Sequence, residues 1–300
     1  MNDYKIQDFP ENGFAYLDLN TDSNKFKNVV TQIKLKRKFD SSLFLNKKDF
    51  IPKLNGVNPQ RGGFNLAETI DLDFIEKNPN FIKTMNKVLG ADYEILLKKF
   101  VMGVPESIMP EWILKHTKGQ MVANLGGYIK PEYRDITYFH GIDWHQDIID
   151  CQPNSALGPR VSDFITLYVY LEDVDKNSSP LFVIPKSHKL GATTFPHKLK
   201  TISNSKFNYS NDLNDKLKVE YHTLIGKAGT TNFWHSSTLH GTQPHINSKP
   251  RISLRYLIGR KQSLIDECNK NIKGFHLIQK TRKDIEGEKI LLKGNQINEK

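Results

Sequence analysis

The stretch GIDWHQDIID, Gly141 to Asp150, sets His145 and Asp147 two residues apart, beside Trp144, in a segment polar for a core. Residues two apart on an extended strand point to the same side, so this imidazole and this carboxylate can share one ion. A triplet so short also fits an exposed histidine beside a loop-capping aspartate. Its meaning depends on what the rest of the chain brings to it.

Six of the ten histidines lie in or near two segments: His140 and His145, then His222, His235, His240 and His245. A third ligand would come from FWHSSTLHGTQPH, Phe233 to His245, and His240 is the best placed. It ends a β-like run, and Gly241 and a proline-containing loop then lead into the strand-like RISLRYLIG at 251–259. Two histidines and one carboxylate on a face suit non-haem Fe(II), with positions left for oxygen and a bidentate co-substrate. The same residue types serve zinc hydrolysis, so ligand identity alone leaves that reading open.

Arg251 stands eleven residues after His240 on the returning strand, with Ser253 on the same side. A guanidinium fork grips a carboxylate through two hydrogen bonds, and a neighbouring hydroxyl adds another. An iron triad with such a clamp is the equipment of a 2-oxoglutarate oxygenase. Arg255, on the same strand face, is a rival clamp that spacing does not dismiss.

Outward from these residues, 24–38 and 80–99 space their apolar residues three or four apart, as helices with one buried face do. The part before about residue 115 therefore reads as mainly helical. From about 116 to 260 the chain becomes short segments rich in Val, Ile, Tyr and Thr, separated by Gly, Pro, Asn and Asp. The expected fold class is mainly β with flanking helices, a sandwich or barrel of which the jelly roll is one form. Residues 186–218 read as a long polar loop, a lid or a surface excursion, and 261–300 as a basic, partly helical extension. A single domain over 1–300 is expected.

Composition supports a folded protein, with 38% hydrophobic and 25% charged residues, 17 Phe and 11 Tyr. Two cysteines, Cys151 and Cys268, and the lack of a signal-peptide pattern lead to the expectation of a reducing, cytoplasmic setting. The apolar run FITLYVYL, 164–171, is shorter than the roughly 20 residues of a membrane-spanning helix, so no membrane partner is expected. The net charge of +10 attracts anions. Its lysines and arginines are scattered without a nucleic-acid recognition pattern, so a small-molecule partner is expected rather than nucleic acid. Oligomeric state is not legible. There is no G-x-S-x-G elbow for an acyl-transfer hydrolase.

Several pieces together resemble the phytanoyl-CoA dioxygenase family of Fe(II)- and 2-oxoglutarate-dependent oxygenases. They are DWHQD at 143–147, LFVIPKSHKLG at 181–191, LHGTQPH at 239–245, KPRISLRYLI at 249–258 and the opening ENGFAYL at 11–17. The resemblance implies a double-stranded β-helix, a jelly roll with helices outside, and His145, Asp147 and His240 as iron ligands. It further implies Arg251 on the distal carboxylate of 2-oxoglutarate, an aromatic Tyr168 near the co-substrate and a small hydroxyl, Thr242, after the distal histidine. The implied activity is hydroxylation of an unactivated C–H bond of a small metabolite, consuming O2 and releasing succinate and CO2. Asp147 fits hydroxylation, since halogenases of the superfamily carry Gly or Ala there. A non-catalytic cupin-like metal-binding protein is the alternative. The sequence departs from the family at Lys186, where Gly is usual, at SSPLF, which lacks a Gly before the strand, and at His245, where Asn is usual.

Overall fold

The structure, a computed structural model, describes residues 4–51, 65–118, 122–147, 164–193, 197–242 and 249–260. His245, both cysteines and the expected extension at 261–300 lie outside the described residues.

Ten strands form one sheet. They are β1 (Phe14–Leu17), β2 (Glu94–Gly103), β3 (Val122–Asn124), β4 (Thr137–His145), β5 (Phe164–Tyr170), β6 (Leu181–Val183), β10 (His222–Leu224), β11 (Thr231–His235), β12 (His240–Thr242) and β13 (Arg251–Gly259). The order across the sheet is β1-β11-β5-β13-β2-β4-β12-β6-β10, with β3 paired to β4. β2 and β4 run parallel, and the other pairs are antiparallel. The two ends of this order meet: the Tyr16 hydroxyl on β1 lies 3.0 Å from Nε2 of His222 on β10, and the Phe14 ring packs against the same imidazole. The sheet is therefore curled on itself, as the jelly-roll reading expects.

Alternation sorts the side chains into two environments. On β5, Ile165, Leu167 and Val169 face outward into the main core with the helices, while Tyr168 and Tyr170 face inward beside Phe14, Val101, Val183 and Trp234. Helices cover the outer face. In α2 (Ser23–Lys36), Phe26, Val29, Val30 and Ile33 are buried, and the Asp22 carboxylate caps the helix by accepting from the Asn24 N–H at 2.9 Å. The spacing at 24–38 anticipates this helix.

The expected helix over 80–99 is corrected. Two shorter helices, α1 (Phe9–Asn12) and α3 (Asp73–Glu76), precede α4 (Pro79–Leu89), which stops at Gly90, where φ is +95°. The chain then enters β2, pairing over its length with β13 in the middle of the sheet. Glycine takes that backbone conformation without a Cβ clash, and EILLKKFVMG carries enough apolar residues to be buried on both faces of a strand. The part before residue 115 keeps mostly helical elements, among them α5 (Glu111–Thr117), but it also supplies two strands, one of them central.

The polar region at 186–218 is also not a loop. It contains β7 (Lys198–Ser203), β8 (Lys206–Ser210) and β9 (Lys216–Glu220), a separate antiparallel sheet. Apolar residues alternate along β8 and β9, and Leu199, Phe207, Tyr209 and Val219 pack on Trp144, Phe182 and Ile184. Trp144 is 2% exposed, so the tryptophan of DWHQD is a core residue that fastens the metal-facing strand to this sheet.

Candidate metal centre

His145 ends β4, His240 opens β12, and the two are direct cross-strand partners with ring centroids 4.1 Å apart. Asp147 follows two residues after His145. One potential ligand atom from each of the three lies within 4.8 Å of the other two, a separation that a single ion can bridge.

The ring nitrogens are assigned by their partners. His145 Nδ1 lies 2.9 Å from the carbonyl of Asp143, and His240 Nδ1 lies 3.0 Å from the carbonyl of Thr238. A carbonyl only accepts, so both Nδ1 atoms carry hydrogen, and Nε2 is the nitrogen of each ring that is left to ligate. Burial, with His240 alongside, pushes the His145 ring down to about 3, which keeps it neutral and ligating near pH 7.

Asp147 is buried and held from both sides. Arg255 Nη2 donates to Oδ1 at 2.6 Å, while Thr166 Oγ1 at 2.5 Å and Trp234 Nε1 at 3.2 Å donate to Oδ2. His240 Nε2 is 3.3 Å from the same Oδ2. Burial raises the carboxyl group, but Arg255 and then His240 more than offset this and hold it well below the usual carboxylate range. Gln146 faces the other way and ties loops together, donating to the carbonyls of Gly191 and Ser237 and accepting from the Thr193 N–H.

Arg251 and Ser253 are adjacent on the inner side of β13. Arg251 is 4% exposed, donates to Ser253 Oγ at 3.0 Å, and lies with its guanidinium carbon 5.9 Å from the centre of the Tyr170 ring. Its Nε is buried with no partner, and no carboxylate of the described residues pairs with it. A buried cation without an anion is costly, and a ligand carboxylate would complete it. Arg255, the other arginine of this strand face, pairs with Asp147.

Tyr168 lies flat against Trp234, with centroids 5.4 Å apart and planes at 16°, and burial raises its hydroxyl above its ordinary value. Thr242 shares the face of His240, and its hydroxyl is engaged by the hydroxyl and carbonyl of Ser179. The other clustered histidines go elsewhere: His140 bonds Val104 and Glu106, His222 meets Tyr16, and His235 Nδ1 accepts from the Ser237 N–H. Thr166 and Trp234 were not picked out from the sequence, although both occupy the inward phase of their strands.

The family model described as phytanoyl-CoA dioxygenase matches residues 131–253, a span that contains every residue of this cluster but Arg255. The chain is 22% identical over 134 residues to an ectoine dioxygenase from Bordetella bronchiseptica and, equally, to one from Bordetella parapertussis. Each match covers 42% of this chain and 42% of the relative, so the chain spans about two fifths of the length of the curated relatives it matches. Among solved structures, a non-haem α-ketoglutarate-dependent epimerase, SnoN from nogalamycin biosynthesis, aligns over 85% of this chain and 81% of its own, with 12% identity and a TM-score of 0.49. EvdO2 from Micromonospora carbonacea var. aurantiaca aligns over 86% and 93%, with 13% identity and a TM-score of 0.48. No helix of the described residues is long and apolar enough to cross a membrane.

Proposed function

We propose, for a chain whose residues 131–253 match the phytanoyl-CoA dioxygenase family model, that His145, Asp147 and His240 hold Fe(II) and that the protein is a 2-oxoglutarate-dependent dioxygenase. Its reaction is hydroxylation of an unactivated C–H bond in a small metabolite, with release of succinate and CO2. The observation that carries this reading is the pairing of two features on one inner face. A His-Asp-His cluster has both Nδ1 atoms bonded to carbonyls, so that Nε2 is left to ligate, and the buried Arg251 guanidinium has no anion among the described residues.

The donor set fits a ferrous ion: two imidazoles and one carboxylate leave coordination positions for a chelating keto acid and oxygen. When bound, iron and 2-oxoglutarate together supply the oxidising power for C–H cleavage with O2. The chain's own residues supply the rest. Asp143 and Thr238 fix the imidazole tautomers through their carbonyls, and Arg255, Thr166 and Trp234 keep Asp147 ionised and oriented. Arg251 and Ser253 hold the distal carboxylate of the co-substrate, with Tyr168 and Thr242 shaping its flanks. The apolar wall of Phe14, Val101, Val183 and Trp234 limits water in the site.

Anaerobic titration of the purified protein with Fe(II) and 2-oxoglutarate tests this reading through the visible charge-transfer band of the chelate. Wild type is expected to show the band and Asp147→Ala to lose it. Iron binding without a band would favour the non-catalytic metal-binding reading instead.

A further inference from the structure

The curled sheet lays a row of side chains across four adjacent strands. Asn232 on β11 is the register partner of Tyr168 on β5, Tyr168 of Arg255 on β13, and Arg255 of Lys99 on β2. Direct cross-strand partners project to the same side. Arg255 reaches Asp147, so the whole row faces the interior that holds the candidate metal centre. The neighbouring positions confirm the phase, because Lys98 and Tyr256 point outward to Glu76 beneath the helices.

The two ends of this row are unsatisfied. Lys99 is 4% exposed as a whole residue, and among the described residues its ammonium has neither an ion pair nor a hydrogen bond. The nearest acid acting on it, Asp135, is itself bound by Arg37. Burial pushes the Lys99 amine down to about 8, with Arg255 adding to the effect. Asn232 is fully buried, and neither its amide nitrogen nor its amide oxygen has a partner. Buried polar groups are normally bonded, so an unpaired ammonium and an unpaired amide on one inner face are what a binding site looks like before its ligand arrives.

Charge points to the ligand's sign. The interior cations Lys99, Arg251 and Arg255 exceed Asp147 by two, and still by one if Asp143 is counted as fully ionised. A ferrous dication and the 2-oxoglutarate dianion cancel each other. The excess positive charge thus remains after both are bound, and a further anion is needed to neutralise it.

We propose that Lys99 is a specificity-determining residue that binds a carboxylate of the primary substrate, with Asn232 taking a second polar group of that molecule. The substrate is then an organic acid. This rests on the dioxygenase reading for the identity of the reaction, although the subsite itself is defined by residues of this chain that ligate no metal.

The test uses full-length protein loaded anaerobically with Mn(II) and 2-oxoglutarate, and two matched probe pairs: hexanoate with hexanamide, and benzoate with benzamide. Tryptophan fluorescence reports binding, because Trp234 stacks on Tyr168 within the row. Each acid is expected to bind wild type at least about tenfold more tightly than its amide, the factor expected of one charge-assisted contact. Lys99→Met should abolish that preference, and Lys99→Arg should keep it. The Met variant removes an unpaired buried charge, so its thermal midpoint should equal or exceed that of wild type, which shows that the fold survives.

Equal binding of acids and amides by wild type, or no binding of either acid, would overturn the proposal. So would a Lys99→Met variant that keeps the acid preference but binds 2-oxoglutarate more weakly, since the lysine would then serve the co-substrate. If wild type fails to bind 2-oxoglutarate at all, the dioxygenase reading fails. The acid-amide comparison, repeated without 2-oxoglutarate, still reads Lys99 by itself.

Discussion

Arg255 donates to Oδ1 of Asp147 from a strand 108 residues further along the chain, while Oδ2 takes hydrogen bonds from Thr166 and Trp234. The Asp147 carboxylate is thus ionised and aimed by three elements of the barrel other than its own. Replacing Arg255 by Met should strand a buried carboxylate. The expected cost is about 3 kcal/mol of stability, by analogy with other broken buried pairs, and roughly 10- to 100-fold in metal affinity. Urea unfolding of the metal-free protein and Mn(II) titration measure the two effects. Unchanged metal affinity would show that Arg255 does not position Asp147.

Arg251 is different, because its charge is buried without an acid among the described residues. Arg251→Met should therefore leave the ligand-free protein as stable as wild type or more so, while the concentration of 2-oxoglutarate needed for half-maximal chelate rises about 30-fold or more. Ser253→Ala, which removes one hydroxyl beside the guanidinium, should raise it about fivefold. A stability loss in Arg251→Met with no change in 2-oxoglutarate affinity would make this arginine a structural residue.

What could be read from the sequence follows the range of the interactions involved. His145 and Asp147 are two residues apart, and their shared side follows from strand geometry alone. His240 and Arg251 needed only a short return loop and a strand. Thr166, Trp234 and Lys99 join the site through register between strands far apart in the chain, which no local pattern encodes. The strands at 164–170 and 251–259 were legible because burial on one or both faces leaves dense apolar runs. β2 was not, because its residues continue the apolar spacing of α4, and Gly90 alone marks the break. The sheet at 198–220 was missed because its exposed face is mostly lysine and asparagine, which masks an alternating set of four buried residues.

Lys186 occupies a left-handed backbone conformation, with φ of +69°, which glycine takes without a Cβ penalty. Its ammonium is half exposed and lies 3.6 Å from Glu11, a weak surface pair. Lys186→Gly relieves the Cβ clash and should stabilise the protein by about 0.5–1 kcal/mol after the added chain entropy is subtracted. Chemical denaturation measures this directly. A destabilised variant would mean that the Glu11 contact outweighs the backbone strain.

His197 sets a pH limit on the fold. It is 5% exposed, and burial pushes its ring from 6.5 down to about 3, with Nδ1 placed 2.6 Å from the Thr193 hydroxyl that also meets Tyr209. The unfolded chain binds a proton at this residue below pH 6.5, whereas the folded chain does so only near pH 3. Stability from this group is therefore complete above pH 6.5 and falls as the pH drops towards 3. At pH 5 the loss amounts to about 2 kcal/mol from this residue. Urea unfolding of chelator-treated wild type and His197→Asn between pH 7 and pH 5 should give curves whose separation narrows by about that amount, the contribution of His145 being common to both proteins. Parallel curves would mean that His197 is protonated in the folded state.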